Sequence, residues 1–396
     1  MSTRTAPRTG PWLVGIACIA LVGCGAEPID ESVEEHAAAV TASVPAYGVM
    51  YADSWLGSSN LHLAGSLGLT YVRANFVFDA AREYDQPLTD WDAVVENAAA
   101  AGATVLPVLI KAAGGPAALD IHSPDERARW ERFAQQVATR YGPTGTFWSE
   151  REGLVPYLPI TAWEIWNEPN LEVFGDVKPK ALRVTLRLAR RGLRAVDPEA
   201  RIVLGGLSFA GKAMRYLEEV AGTKSARCTF DAVAIHPYGA TPEKALELVE
   251  RTVQTLRDLG LTGRGADKDV GLWITEIGWA IANPDWPLCA KVEDGECVEK
   301  AAFTVPDAET QAAYMAAFAQ GLDEKRGAWR IGPTIWYAYS DLPPSKEDPG
   351  QKWWRHCGLL GLDAAGQPTV PRPSLWRAGE IASARPTVSL PPVRCP

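Results

Sequence analysis

Eight short runs of β-branched, aliphatic and aromatic residues recur along the chain, and longer stretches of helical period separate most of them. This alternation constrains the fold more than any other feature. The runs are Tyr47–Tyr51, Tyr71–Asn75, Thr104–Leu109, Ala162–Trp166, Ile202–Gly206, Ala232–His236, Gly271–Thr275 and Thr334–Tyr339. They read as nearly continuous apolar strands, the pattern of a parallel sheet covered on both faces. Helical patterns lie between them at Asp90–Ala101, Pro124–Tyr141, Lys178–Val196, Pro242–Leu259 and Asp307–Arg326, several opening on Asp or Pro, and Ser374–Ile381 closes the series. Eight such repeats predict an α/β fold, a single-domain (β/α)8 TIM barrel. An open doubly wound sheet is the competing arrangement. It favours a Gly-rich phosphate turn after the first strand, and Tyr51-Ala52-Asp53-Ser54-Trp55 supplies none.

The apolar content, 47% of 396 residues, is ample for one large core and excludes wholesale disorder. The net charge of −9, with no segment rich in Lys and Arg, excludes a nucleic-acid partner. Fifteen tryptophans are many for one chain, and a protein that keeps so many flat rings packs or binds with some of them.

The first residues read as a secretion signal. Arg4 and Arg8 precede an apolar run from Trp12 to Gly23, too short to span a bilayer, and the run ends at Leu21-Val22-Gly23-Cys24. That ending resembles a bacterial lipoprotein cleavage box, which implies a signal over residues 1–23, lipidation of Cys24 and membrane contact only through that lipid. An ordinary signal peptide cut nearby is the alternative, and either reading exports the chain. Residues 24–45 are expected to be a flexible tether and residues 46–396 the barrel domain. Five cysteines follow Cys24, an odd number that leaves at least one thiol unpaired. Cys289 and Cys297, flanking a short acidic loop, are the expected disulfide. No metal site is expected, because neither a C-x-x-C nor a His spacing accompanies the cysteines.

The chemistry-bearing residues follow the strands. After the fourth comes Trp163-Glu164-Ile165-Trp166-Asn167-Glu168-Pro169-Asn170, and the seventh reads Trp273-Ile274-Thr275-Glu276-Ile277-Gly278-Trp279. Each places a carboxylate at a strand end amid aromatics, where an unpartnered charge is costly without a task. Two carboxylates facing one another across a barrel mouth are the equipment for cleaving a glycosidic bond. Glu164, one pleat deeper than Glu168, is a weaker candidate for the acid.

In this order the two motifs resemble those of the retaining β-glycosidases of glycoside hydrolase clan A, especially families 39 and 5, with the likeness running from about Ala46 to Ile381. The resemblance implies that Glu168 is the acid/base and Glu276 the nucleophile. It implies that Arg73 and Tyr238 stabilise Glu276, that Asn167 meets the sugar 2-hydroxyl, and that Trp336 is a sugar platform. His236 is expected to line the substrate or to fill the core. Trp55, Trp166, Trp279, Trp286, Trp353 and Trp354 fall at strand ends or in the loops after them and are candidates for sugar stacking, whereas Trp91, Trp130 and Trp376 lie in helical patterns and are expected to pack. Asp341 either touches sugar hydroxyls or sits in a solvated loop.

The long loops 280–305 and 341–361 lean towards an extended cleft and an endo-acting enzyme on a polysaccharide or oligosaccharide. The expected enzyme is a monomer without cofactor. Two alternatives stand beside hydrolysis: a transglycosidase that remodels envelope glycan, and a non-catalytic carbohydrate-binding surface lipoprotein.

Overall fold

The computed structural model describes residues 42–50, 60–85, 88–111, 118–263, 269–282, 288–293, 296–343 and 352–390. Cys24, Trp55, Trp286, the expected signal and the expected tether up to residue 41 lie outside them. Eight parallel strands close into a barrel: β1 (Tyr47–Met50), β2 (Tyr71–Phe78), β3 (Thr104–Lys111), β4 (Ala162–Ile165), β5 (Arg201–Ser208), β6 (Ala232–His236), β7 (Gly271–Ile277) and β8 (Ile331–Trp336). They pair in sequence order, and β8 returns to β1 through Thr334–Tyr47 and Trp336–Val49. A helix follows each: α1 (Asn60–Ser66), α2 (Asp92–Ala100), α3 (Pro124–Tyr141), α4 (Pro179–Arg194), α5 (Ala213–Val220), α6 (Pro242–Asp258), α7 (Ala308–Trp329) and α8 (Pro373–Ala384). The chain is a (β/α)8 TIM barrel.

Local chemistry explains where the helices begin. Ser123, Thr241 and Asp307 each accept a backbone N–H three residues on, at the starts of α3, α6 and α7, and Pro124 and Pro242 bring a φ already suited to a first turn. The short helices α1 and α5 carry no such long amphipathic pattern and are not evident in the sequence. Ala42–Pro45, assigned to the tether above, is instead a strand antiparallel to Thr387–Leu390, so the structured body begins before residue 46. Four residues are too few to show a strand period, and the pairing is made with a segment more than three hundred residues away.

Large rings fill the space between strands and helices. Trp130 and Phe133 of α3 meet Phe78 of β2 and Trp166 beyond β4, and Phe318 of α7 meets Trp279 and Trp336. Each fully buried ring contributes roughly 1.5–3 kcal/mol relative to exposure. Inside the barrel, near the strand starts, Tyr71 packs on Trp273 with centroids 6.3 Å apart. The polar residues lie above this plug, toward the ends of the strands.

Candidate active site

The site is built around the guanidinium of Arg73, which β2 delivers to the barrel axis with no exposure to solvent. Its Nε and Nη2 donate to Glu164 of β4, at 2.7 and 3.0 Å, Nη1 donates to Glu276 at 2.7 Å, and Nη2 also donates to the Asn167 side-chain oxygen at 2.8 Å. Burial alone would lower the Arg73 pKa, but the charges of Glu164 and Glu276 outweigh it and the net shift is upward. Arg73 is therefore a fixed cation serving two carboxylates. It also turns the Asn167 amide so that the NH2 is the group left for a ligand.

Glu276 and its neighbour Thr275 both point inward, which regular strand alternation forbids. The ladder between β7 and β8 slips here: Thr334 faces Ile274 and Trp336 faces Ile277, so one β7 residue is extra. Glu276 takes a second donor from the Tyr238 hydroxyl at 2.9 Å. Burial, and then the Glu276 charge, push the Tyr238 pKa well above its ordinary value, so the phenol remains a neutral donor.

Glu168 is presented differently. The chain leaves β4 through Trp166 and Glu168 in the left-handed region, at φ 75° and 39°, a conformation that side chains other than glycine adopt only under constraint. Backbone bonds supply that constraint, from Trp166 N to Leu109 O and from Glu168 N to Gly206 O, both 2.9 Å. Gly205 and Gly206 make the approach possible, because a Cβ would lie 1.9 Å from the Trp166 carbonyl oxygen in one case and 1.9 Å from His236 Nε2 in the other. Glu168 Oε1 meets His236 Nδ1 at 3.0 Å, and the same nitrogen is 3.6 Å from Glu276 Oε2. Asn170 then ties the loop to β5, donating to the Ser208 and Gly211 carbonyls and accepting from Ser208 N.

The structure thus brings together Arg73, Asn167, Glu168, His236, Tyr238 and Glu276. His236 does not line the mouth; it is 1% exposed and spends both ring nitrogens on Glu168 and Thr275. Three of the tryptophans proposed for sugar stacking are packing residues. Trp336 is buried, stacked on Tyr47 beside Phe318 of α7. Trp166 is buried against Trp130 and donates to the Phe174 carbonyl. Trp279 is buried against Tyr314 and Phe318 and donates to the Gly239 carbonyl.

The residue on the glutamate side here is Tyr337, just beyond β8 and one position on from Trp336. Its pKa is raised by burial first and then by Glu276, with Glu168 and Arg73 also in electrostatic reach. A one-residue step along a strand reverses the face. Alternation from Thr334, which faces Arg326 of α7, would have found it.

Trp353 edges onto Tyr238 at 4.8 Å and Phe303 at 4.4 Å, with Tyr337 at 6.1 Å, making an aromatic wall on the Glu276 side. The segment carrying Trp353 is held by a bridge between Lys352 and Cys289. Cys289 is disulfide-bonded to Cys297 across a hairpin of Cys289–Glu293 and Glu296–Lys300. Cys228 is also disulfide-bonded, and Cys357 is a free, buried thiol. Asp341 is neither solvated nor offered to a ligand, since it is paired with Arg372 and accepts from Gly358 N. Among the described residues no three His, Cys, Asp or Glu side chains are grouped to hold a metal ion.

No protein-family model matches the chain, and no curated protein is similar enough to match. Solved structures do resemble it. A family 39 glycoside hydrolase from Bacteroides cellulosilyticus is 19% identical with a TM-score of 0.55, covering 85% of this chain and 63% of its own. A β-xylosidase from Caulobacter crescentus is 17% identical with a TM-score of 0.54 over 85% of this chain and 67% of its own. An exo-β-1,4-mannosidase from an Opitutaceae bacterium is 14% identical with a TM-score of 0.55 over 86% and 59%. The chain therefore spans about three-fifths to two-thirds of these relatives, and what it shares with them is the (β/α)8 barrel fold.

Proposed function

We propose that the protein is a β-glycosidase that hydrolyses a β-linked oligosaccharide or polysaccharide by retention, with Glu276 as nucleophile and Glu168 as acid and base. One observation carries the reading: two glutamates at the ends of β4 and β7 approach a single imidazole nitrogen, at 3.0 and 3.6 Å, with opposite partners behind them. Sharing that nitrogen holds their nearest oxygens within about 7 Å of each other, which accommodates the roughly 5–5.5 Å separation of a retaining pair. Glu276, with a cation and a phenol donating to it, is held in place to attack the anomeric carbon. Glu168, whose partner is an imidazole, is suited to carry a proton to the leaving oxygen and later to take one from water. The glycosidase names among proteins of similar fold support the same reading.

Endo action on a long chain and export as a lipoprotein anchored at Cys24 complete the proposal. The long β7–α7 connection with its disulfide hairpin supports an extended mouth, and the disulfides suit an oxidising compartment. The deciding experiment is a panel of β-linked glucans, mannans, xylans and exopolysaccharides, with product lengths analysed and the anomer first released read by proton NMR. Release of the β-anomer is expected. Release of the α-anomer would replace retention by inversion, and no cleavage across the panel would remove the hydrolase reading.

A further inference from the structure

Resting on the assignment of Glu168 as acid and base, we propose that Thr275 and Glu164 are positioning residues that lock the proton of His236 onto Nε2, leaving Nδ1 as an acceptor facing Glu168. The argument is a count of donors. Glu164 is completely buried, and Oε1 accepts from Gly206 N at 2.9 Å, Arg73 Nη2 at 3.0 Å and the Thr275 hydroxyl at 3.0 Å, while Oε2 accepts from Arg73 Nε at 2.7 Å. With donors on both oxygens it is an acceptor only. The single hydroxyl proton of Thr275 is committed to Glu164. Thr275 can then only accept from His236 Nε2, 3.1 Å away, so that nitrogen bears hydrogen.

A neutral imidazole has one N–H, so Nδ1 presents a lone pair. The groups facing the ring are Glu168 beyond β4, Gly206 of β5, and Thr275 and Glu276 of β7, with Tyr238 on its own segment. Glu276 Oε2 already accepts from Tyr238 and has no proton to give. Glu168 is the partner that can donate to Nδ1, and does so in its protonated form.

The chemistry then balances without His236 gaining or losing a proton. In the first step the Glu168 proton passes to the glycosidic oxygen as the bond from that oxygen to the anomeric carbon breaks and a Glu276 oxygen bonds to that carbon. Glu168, now a carboxylate, faces a lone pair instead of a donor. In the second step it takes a proton from water while the water oxygen attacks the anomeric carbon and the bond to Glu276 breaks. The opposite tautomer would set an N–H against Glu168 and stabilise its carboxylate, leaving less of it protonated for the first step and making it a weaker base in the second.

The test combines nitrogen-15 NMR of the full chain, labelled at its five histidines, with leaving-group kinetics. Loss of one signal pair in His236→Asn assigns the ring. In the free wild type Nε2 should appear as a protonated nitrogen and Nδ1 as a bare one; Thr275→Ser should preserve that pattern, and Thr275→Val should shift protonation to Nδ1. On aryl β-glycosides with poor leaving groups, kcat/KM of Thr275→Val should fall about 100-fold, the scale of general acid catalysis. With a dinitrophenolate leaving group, which needs no proton, it should change only a few-fold, and Thr275→Ser should stay close to wild type on both. A wild-type ring protonated on Nδ1 alone or on both nitrogens would overturn the proposal, as would an equal loss with both leaving groups. The tautomer is read without turnover, so a wild type that cleaves no glycoside would strike the functional reading alone. If Thr275→Val fails to fold, the wild-type and Thr275→Ser spectra still decide.

Discussion

The two flanks of the barrel mouth hold the same residue type in opposite circumstances. On one side Glu276 is met by Arg73 from β2 and Tyr238 from beyond β6, two donors fixed by burial. On the other, Glu168 hangs from a left-handed turn and, among the described residues, has the His236 imidazole as its side-chain hydrogen-bond partner. Identical carboxyl groups thereby stand among partners that differ in number and kind, and on the proposed reading that difference is what separates a nucleophile from an acid. Mutation should expose the asymmetry. Glu276→Gln keeps the shape but removes the proposed nucleophile, and turnover of an activated aryl β-glycoside should fall on the order of 10^5-fold or more, with no rescue by azide. Glu168→Ala should cost about 10^2–10^4-fold in kcat/KM with a poor leaving group. Azide should restore its turnover of an activated substrate and yield the β-glycosyl azide. Rescue at Glu276 and not at Glu168 would invert the two flanks.

A smaller effect probes the donors themselves. Tyr238→Phe removes one hydrogen bond to the Glu276 carboxylate, an interaction with a charged group worth about 1.5–3 kcal/mol. The expected loss in kcat/KM is roughly 10–100-fold. Because a nucleophile acts with every substrate, the proposed role of Glu276 makes the loss similar for good and poor leaving groups. A loss confined to poor leaving groups would mean that Tyr238 serves Glu168 instead.

Smaller still is the contribution of the aromatic wall, which belongs to the Glu276 side. Tyr337→Ala should raise KM about tenfold, the scale of an aromatic contact of 1–1.5 kcal/mol. Trp336→Phe, one residue away, should leave KM unchanged and lower stability by about 1–2 kcal/mol in urea titration, because its ring packs on Tyr47 and Phe318. The reverse pattern would return Trp336 to the mouth.

Those neighbouring residues show how far the sequence could be read. The eight strands and the order of their chemistry were legible because apolar runs, helix caps and strand-end glutamates are local signals, and Arg73, Asn167, Glu168, Tyr238 and Glu276 do converge. Which face a ring takes was not, since it depends on register to within one residue. Trp166 is turned by a left-handed φ, and the slip between β7 and β8 brings Thr275 inward beside Glu276. Glu164 was visible as a carboxylate, but its place between Arg73 and Thr275 depends on three strands meeting. The pairing of Ala42–Pro45 with Thr387–Leu390 joins the two ends of the described chain, and four residues in each segment are too few for their alternation to stand out.

The flanks also differ in how they respond to alkali. Tyr238 and Tyr337 are pushed well above the ordinary phenol value by burial and then by Glu276, each feeling Glu276 more than Glu168, and burial followed by Asp341 does the same for the Cys357 thiol. A raised pKa means that the folded state holds the proton more tightly than the unfolded chain. At pH values below the unfolded value both states are protonated and stability does not depend on these groups. As pH rises past about 8.5 for the thiol and about 10 for the phenols, the unfolded chain sheds protons that the folded state keeps. Stability should then fall by up to about 1.4 kcal/mol per pH unit for each group. Tyrosines buried elsewhere, such as Tyr71, add to the fall above pH 10, so Cys357 is the member of this set acting in the window between. Urea midpoints measured from pH 8 to 11 should decline in two stages, and Cys357→Ala should remove the first while leaving the second. An unaltered first stage in that variant would show that the Cys357 thiol is not held protonated by the fold.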